Sequence, residues 1–553
     1  MKTLRCRIKE RRVRKEEQID RKPPALLPEL EYALRPTQIG QKSVHLRDNR
    51  TDVHRRAISF SPRGSHGVRP TNCDVLAATI LEAAASRATR VYDVNFGSTF
   101  QQRLRLASIL LLCVFEACGV SAQDSSDISL EDIARGASSG DGSNQFSLHW
   151  QATFVAQATD AFRAPYSGPN SLSPRIGRET ADATLYLGAR LWSGAELWIN
   201  PEIDQGFGLN NTVGMAGFPS GEAYKVGKSK PYLRVPRLFV RQTIDLDGTP
   251  EPVEAAANQF ADRRSSNRIV FTVGKMSVTD VFDTNQYAHD PRGDFLNWTA
   301  VDTGTFDYAA DAWGYTVGAA MEWYQRSWTL RVGLFDLSDV PNSEHLDPGF
   351  HEFEVVTEVE KRHEIVDEPG RLLVTVFENS GRMGLLEDAV AAAQANNVPV
   401  DLVTVRRYRR RFGVSLGFEQ QLLSNLGLFV RAGGAAGNVE AYEFTDIDRT
   451  VAVGLSLKGA QWTRPHDTLG LVTISNGISG ARERYLNAGG LGILVGDGQL
   501  PHPGPERIIE TYYDVAIFDW AHVTLDYQWV QHPAYNEDRG PVSIGAVRLH
   551  MQL

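Results

Sequence analysis

The chain has 553 residues, with 58 Lys and Arg against 67 Asp and Glu, a net charge of −9 and four cysteines. An acidic balance gives no basis for a nucleic-acid partner. All four cysteines (Cys6, Cys73, Cys113 and Cys118) precede Gln123, so the larger part of the chain owes nothing to disulfides.

Charge divides the chain at one place. Residues 1–122 hold 22 Lys and Arg against 12 Asp and Glu, a net of +10, which leaves 36 against 55 after them, a net of −19. Residues 1–102 are basic, punctuated by proline and without sustained periodicity. They read as upstream sequence translated from a start codon placed too early, since no methionine stands between Met1 and Met215. Residues 103–122 read as a secretory signal peptide: Arg103 and Arg105 form its positive region and Leu106 to Phe115 its apolar run. Val120-Ser121-Ala122 supplies small residues for cleavage before Gln123. The apolar run is far short of the ~20 residues that a membrane-spanning helix needs. Residues 123–144 read as a disordered or periplasmic segment that precedes the first strand.

From residue 145 onward the chain repeats one theme, alternating hydrophobicity broken by polar or glycine-containing turns. In "FSLHWQATFVAQA", Phe146, Leu148, Trp150, Ala152 and Phe154 share one face. Leu185, Leu187, Ala189 and Leu191 follow, with Thr184, Tyr186 and Arg190 opposite. "LLEDAVAAAQANN" reads as a helix inside a loop. "GVSLGFEQQLLSNLGLFVRAG" reads as a hairpin that turns at Ser424 and Asn425. "TVAVGLSLKG", "HVTLDYQW" and the terminal "AVRLHMQL" alternate in the same way.

Alternation alone fits a soluble sandwich as well as a transmembrane barrel. The export signal, the lack of a helix long enough to span a bilayer, the final strand and the aromatic clusters near strand ends ("MEWYQRSW", "ETYYDVAIFDW") favour the barrel. The expected fold is therefore all-β, a transmembrane antiparallel barrel over residues 145–553. Sixteen strands give about 27 residues per strand and connection; eighteen remain compatible.

An enzyme is a poor fit. "GVSLG" (413–417) matches the G-x-S-x-G pattern, but Ser415 sits in a hairpin arm rather than at a strand-to-helix elbow. There is no H-E-x-x-H, no paired C-x-x-C and no P-loop, so neither catalytic residues nor a metal or cofactor is expected.

Several long stretches go beyond pattern: "ELWINPEIDQGFGLNNTVGMAGFPSGEAYKVG", "YLRVPRLFVRQT", "GKMSVTDVFDTNQYAHDPRGDFLNW", "FDYAADAWGYTVGAAMEWYQ", "YLNAGGLGILVGDG" and "YNEDRGPVSIGAVRLHMQL". In this order they resemble the carbohydrate-selective outer-membrane porins of the OprB type, over residues 145–553. The resemblance implies a sixteen-stranded barrel through which mono- or oligosaccharides diffuse across a bacterial outer membrane. It also implies the barrel-assembly machinery and outer-membrane lipid as partners, and makes a homotrimer an expectation. Members of that family commonly finish on an aromatic residue, whereas this chain finishes on Leu553. A general diffusion porin and a secreted carbohydrate-binding β protein are the alternatives.

A pore that selects neutral sugars wants planar donors and acceptors with aromatic faces along its wall. The candidates are Glu196, Trp198, Asn200 and Glu202 in "AELWINPEID", provided that Leu197 and Ile199 face lipid. Arg234, Arg237 and Arg241 follow, with Arg237 and Arg241 on one face and Arg234 on the other unless Pro236 resets the register. His289, Asp290, Arg292, Asn297 and Trp298 complete the set, on a loop that could fold inward, with Asp294 beside them. "VRRYRRRFG" (405–413) reads as solvated rim or as a contact for lipopolysaccharide phosphates.

Overall fold

The computed structural model describes residues 144–553 except Pro348; the basic extension, the signal segment and nearly all of 123–144 lie outside the described residues. Sixteen antiparallel strands close into one barrel: β1 (Phe146–Thr159), β2 (Gly177–Trp192), β3 (Ala195–Gly206), β4 (Lys228–Asp245), β7 (Asn267–Met276) and β8 (Thr316–Gln325) form the first part. They continue as β9 (Trp328–Asp336), β10 (Phe353–Ile365), β11 (Glu368–Met383), β12 (Arg407–Leu423) and β13 (Leu426–Ala435). The last five are β14 (Arg449–Gly459), β15 (Arg464–Gly477), β16 (Glu506–Phe518), β17 (Ala521–Gln531) and β18 (Val542–Gln552). Two further strands, β5 (Pro250–Val253) and β6 (Asp262–Ser265), pair only with each other, so eighteen strands give a sixteen-stranded barrel.

Closure comes from β18 pairing with β1 from Gln151↔Gln552 to Thr159↔Ile544. With no free edge, every strand places its backbone groups in a ladder, which is the condition for a sheet to stand in hydrocarbon. The period of two then sorts the side chains. Val414 and Leu416 point out and are about half exposed, while Ser415 between them points in and is buried. Ser415 lies mid-strand against Thr375 and Gly433, so no nucleophile elbow forms there. Phe146, Trp192, Trp323, Trp328, Phe518 and Trp520 stand exposed at one end of the barrel, in the position of an aromatic girdle.

The two ends differ. At one, six of the seven connections have two to four residues; at the other, eight loops run from 10 residues (532–541) to 39 (277–315). Short periplasmic turns and long external loops are the rule for such barrels. The long loops carry α1 (Trp298–Val301), α2 (Leu386–Asn396) and α3 (Gly480–Asn487). The expected loop helix is α2, with Glu387 and Asp388 in its first turn and Asn397 in a left-handed conformation past its end. Among the described residues no helix is long and apolar enough to cross a membrane.

The exception at the short-turn end is the connection 246–266, which contains the β5–β6 hairpin. It folds back into the barrel mouth. Phe260 packs on Trp198 with ring centroids 5.1 Å apart, and the Arg190 guanidinium lies 4.6 Å over Phe260.

Candidate functional site

The inward faces of the strands are largely covered by loops folded into the barrel, and carboxylates hold those loops there. Glu510 on β16 accepts from the backbone N–H of Leu296 (2.5 Å) and Asn297 (3.1 Å). Glu506 accepts from Ala216 and Gly217, Glu358 from Asp283, Glu419 from Gln286, and Glu354 from Ala309. Each is an inward glutamate of a strand answering an otherwise orphaned loop donor, and a charged acceptor makes the stronger kind of bond. Arg411 and Arg431 do the reverse. Arg411 Nη1 meets Asp307 Oδ2 at 2.9 Å, and Arg431 donates to the carbonyls of Asp283, Ala288 and Val301. The loop 277–315 is thus pinned across the lumen along its whole length.

Within the lumen, β3 presents Glu196, Trp198, Asn200, Glu202 and Asp204 inward, with Ile203 exposed outward. On β4 the register is reset. Asn200 pairs with Arg237 and Glu202 with Arg234, so Val235 and Pro236 together oppose Pro201 alone. This is a bulge, placed where proline has no N–H to give the ladder. Arg234 therefore joins Arg237 and Arg241 on the inner face, and the simple alternation that would have sent it outward does not hold.

The twelve candidate residues fall into three groups. The first gathers beside the loop 277–315. Arg234 pairs with Glu202 at 2.5 Å and with Asp204, and Arg237 holds Asp280 through two bonds of 2.8 and 2.7 Å. Arg292 reaches Glu222 (3.0 Å), Asp182 (3.7 Å), Glu202 (3.8 Å) and Asp290 (3.9 Å). Both the Arg234 and the Arg237 guanidinium lie 5.0 Å from the ring of Tyr315. Burial raises the carboxyls of Asp280 and Asp290, but Arg237 and Arg292 outweigh it and leave both below the ordinary carboxylate range. Burial wins at Glu222, which stays above that range despite Arg292. His289 is held low by burial and then by the Arg431 cation, so it enters the site as a neutral ring. Asn200 sits at this level fully buried, and neither of its amide atoms has a hydrogen-bond partner.

The second group belongs to the hairpin. Glu196 accepts from Trp198 Nε1 (3.0 Å) and Arg264 Nη2 (2.6 Å), and Arg241 donates to the Asn258 carbonyl (2.7 Å). These three residues meet the returning connection 246–266 rather than open water. The third group anchors the long loop. Asn297 caps α1 and donates to the Gly217 carbonyl and to Gln528, each at 3.0 Å. Trp298 stacks on Phe218 at 5.1 Å. Both side chains are spent on packing, since they are buried with their neighbours inside the barrel.

Asp182, Asp204, Glu222, Asp280 and Tyr315 belong to the first group although they are not among the twelve candidates. Asp182 and Asp204 share the inward parity of Thr184 and Glu202, so alternation could have found them. Glu222, Asp280 and Tyr315 lie on or beside loops, where period carries no signal. The basic run 405–413 is mostly consumed in pairs: Arg406 with Glu440, Arg409 with Asp388, Arg410 with Glu378 and Arg411 with Asp307.

The arrangement sets three arginines against carboxylates on the inner side of the barrel, with the Tyr315 ring close to two of them. Opposed charge across a low-dielectric channel gives a transverse field and many fixed donors and acceptors, with no barrier to a neutral polar solute.

Known proteins share the family and the barrel fold. The family described as "Carbohydrate-selective porin, OprB family" matches residues 176–553. The high-pH structure of Pseudomonas putida OprB is similar at 13% identity and a TM-score of 0.56, covering 74% of this chain and 94% of that one. The outer-membrane channel DcaP of Acinetobacter baumannii is similar at 10% identity and a TM-score of 0.41, covering 74% and 97%. A search of curated protein sequences finds no match.

Proposed function

The chain belongs to the OprB family of carbohydrate-selective porins, a channel of the bacterial outer membrane, and from that membership we propose that it passes neutral mono- or oligosaccharides by passive, sugar-preferring diffusion. The observation that carries the preference is the constriction at Arg234, Arg237 and Arg292, which face Glu202, Asp204, Glu222 and Asp280 with Tyr315 between two of the arginines. A sugar presents hydroxyls all round, each able to donate and to accept. It can exchange its hydration shell for guanidinium and carboxylate contacts in turn, while its C–H faces slide past the ring. The segment Arg103–Ala122 directs export in this reading, and cleavage falls before Gln123; an outer-membrane protein whose amino terminus lies before Arg103 contradicts that part.

Proteoliposome swelling tests the preference. Glucose is expected to enter faster than gluconate and faster than a zwitterionic amino acid of similar size. Arg292→Ala is expected to reduce the advantage of glucose over the amino acid while raising the rate for both. Equal rates for all three solutes through the wild type would make the protein a general diffusion porin.

A further inference from the structure

Beneath the loop 277–315, on the side of the short turns, lies a polar cavity of about 480 Å³. Its volume falls within the ~300–1,000 Å³ usual for small-molecule sites. The constriction and the cavity share Asp290 and Arg292, so the two spaces adjoin. The β5–β6 hairpin occupies the wall at β2–β4, whereas the cavity is lined from β12–β18, which leaves that side as the open way.

One aromatic ring is displayed there by construction. Tyr287 lies against the wall at Gly427, where an added Cβ would come within 2.1 Å of its Cε1, so the glycine is what makes room for the ring. Its backbone is fixed on both sides: Tyr287 N–H donates to Asn285 (2.9 Å) and Gln286 N–H to Glu419 (2.8 Å). Lys458, His466, Asp514 and His522 line the same cavity. Asp514 is already shared between Thr524 and His522, each at 2.7 Å, and Lys458 gives one of its three protons to Thr468. Carboxylates and cations are nearly balanced around the space, which favours a neutral ligand over an ion. A flat ring beside amides, imidazoles and paired charges matches a pyranose, with C–H groups on its faces and hydroxyls at its rim.

We infer that this vestibule is a second sugar subsite, so that a linear oligosaccharide sets one ring at Arg292 and the next on Tyr287. This rests on the reading of the pore as a sugar channel. Within that reading it favours a neutral chain of two or more pyranose rings over a single ring.

Current block in planar bilayers tests it, with glucose and maltotriose as probes and heat-modifiable gel migration as the check on folding. The wild type binds maltotriose more tightly than glucose. Tyr287→Ala weakens maltotriose block by roughly fivefold to tenfold, in the range of one aromatic contact, and leaves glucose block unchanged; Tyr287→Phe retains both. Should Tyr287→Ala fail to assemble, the exposed His466→Ala is read in the same way. Equal loss for both sugars, or no loss for maltotriose in a channel that glucose does block, overturns the subsite. If glucose does not block the wild type at all, the sugar reading of the pore falls and takes the subsite with it.

Discussion

Replacing Arg411 by methionine should weaken the hold of the barrel wall on the loop 277–315. Arg411 and Asp307 are both fully buried, with Nη1 and Oδ2 at 2.9 Å. Asp307 also accepts from the N–H groups of Tyr442 (2.7 Å) and Glu443 (2.8 Å), so it joins two loops to one strand. Removing one partner of a buried pair typically costs ~3–5 kcal/mol, because the other charge stays behind without its counterion. The two N–H donors still serve Asp307, which puts the expected cost near the lower end, about 3 kcal/mol. The assay is the midpoint at which the compact, fast-migrating form is lost on heating in detergent. Arg411→Met lowers that midpoint. Arg411→Met combined with Asp307→Asn recovers most of the loss, since residue 307 then carries no buried charge that has lost its counterion. An unchanged midpoint in the single variant, or a double variant as poor as the sum of the two singles, refutes the assignment of Arg411 as an anchor.

Three other outcomes follow from the same structure. Excising residues 247–265 in favour of a two-residue turn should raise single-channel conductance, because Phe260 and Arg264 leave the lumen; an unchanged conductance would show that the hairpin does not narrow the pore. Leu416→Arg on the outer face of β12 should cost ~2–4 kcal/mol of folding into lipid vesicles, as for a charge near the midplane, whereas Leu416→Phe should be nearly neutral. Asp302, in the long loop, is pushed up to about 7 by burial and by the nearby Asp283 charge, so the native state favours its protonated form. Its stabilising contribution is present below the ordinary carboxylate value and is lost as pH rises through about 7. Asp302→Asn should therefore match the wild type at pH 4 and exceed it at pH 8, by at most about 4 kcal/mol at ~1.4 kcal/mol per pH unit. Parallel pH profiles of the two proteins would contradict this.

Much of the barrel was legible because period two is a strong signal wherever one face must meet lipid. Leu185, Leu187, Val414 and Leu416 stand on the outer face as their alternation requires, and the strand ladder closes at "AVRLHMQL". Length alone left eighteen strands compatible with sixteen; the two extra strands that do form, β5 and β6, pair only with each other and stay out of the wall. Arg234 marks where local reading stops. Its face depends on a bulge at Pro236, and only the pairing of Asn200 with Arg237 and of Glu202 with Arg234 reveals that the bulge is there. The inward carboxylates carried a different ambiguity. Glu506 and Glu510 look in sequence like lumen charges meant for a solute, yet they accept backbone protons of loops that come from more than 200 residues away. Asn297 and Trp298 share that fate. Long-range partners of this kind leave no local trace.

The sugar-channel function requires a water-filled, sugar-binding passage beside Arg292. The most direct measurement is single-channel current through the purified protein in a planar bilayer, recorded while glucose is added. Stepwise conductance that falls with sugar concentration and saturates is the predicted result, with a weaker effect in Arg292→Ala. Steady steps that ignore glucose, or no steps at all, would contradict it.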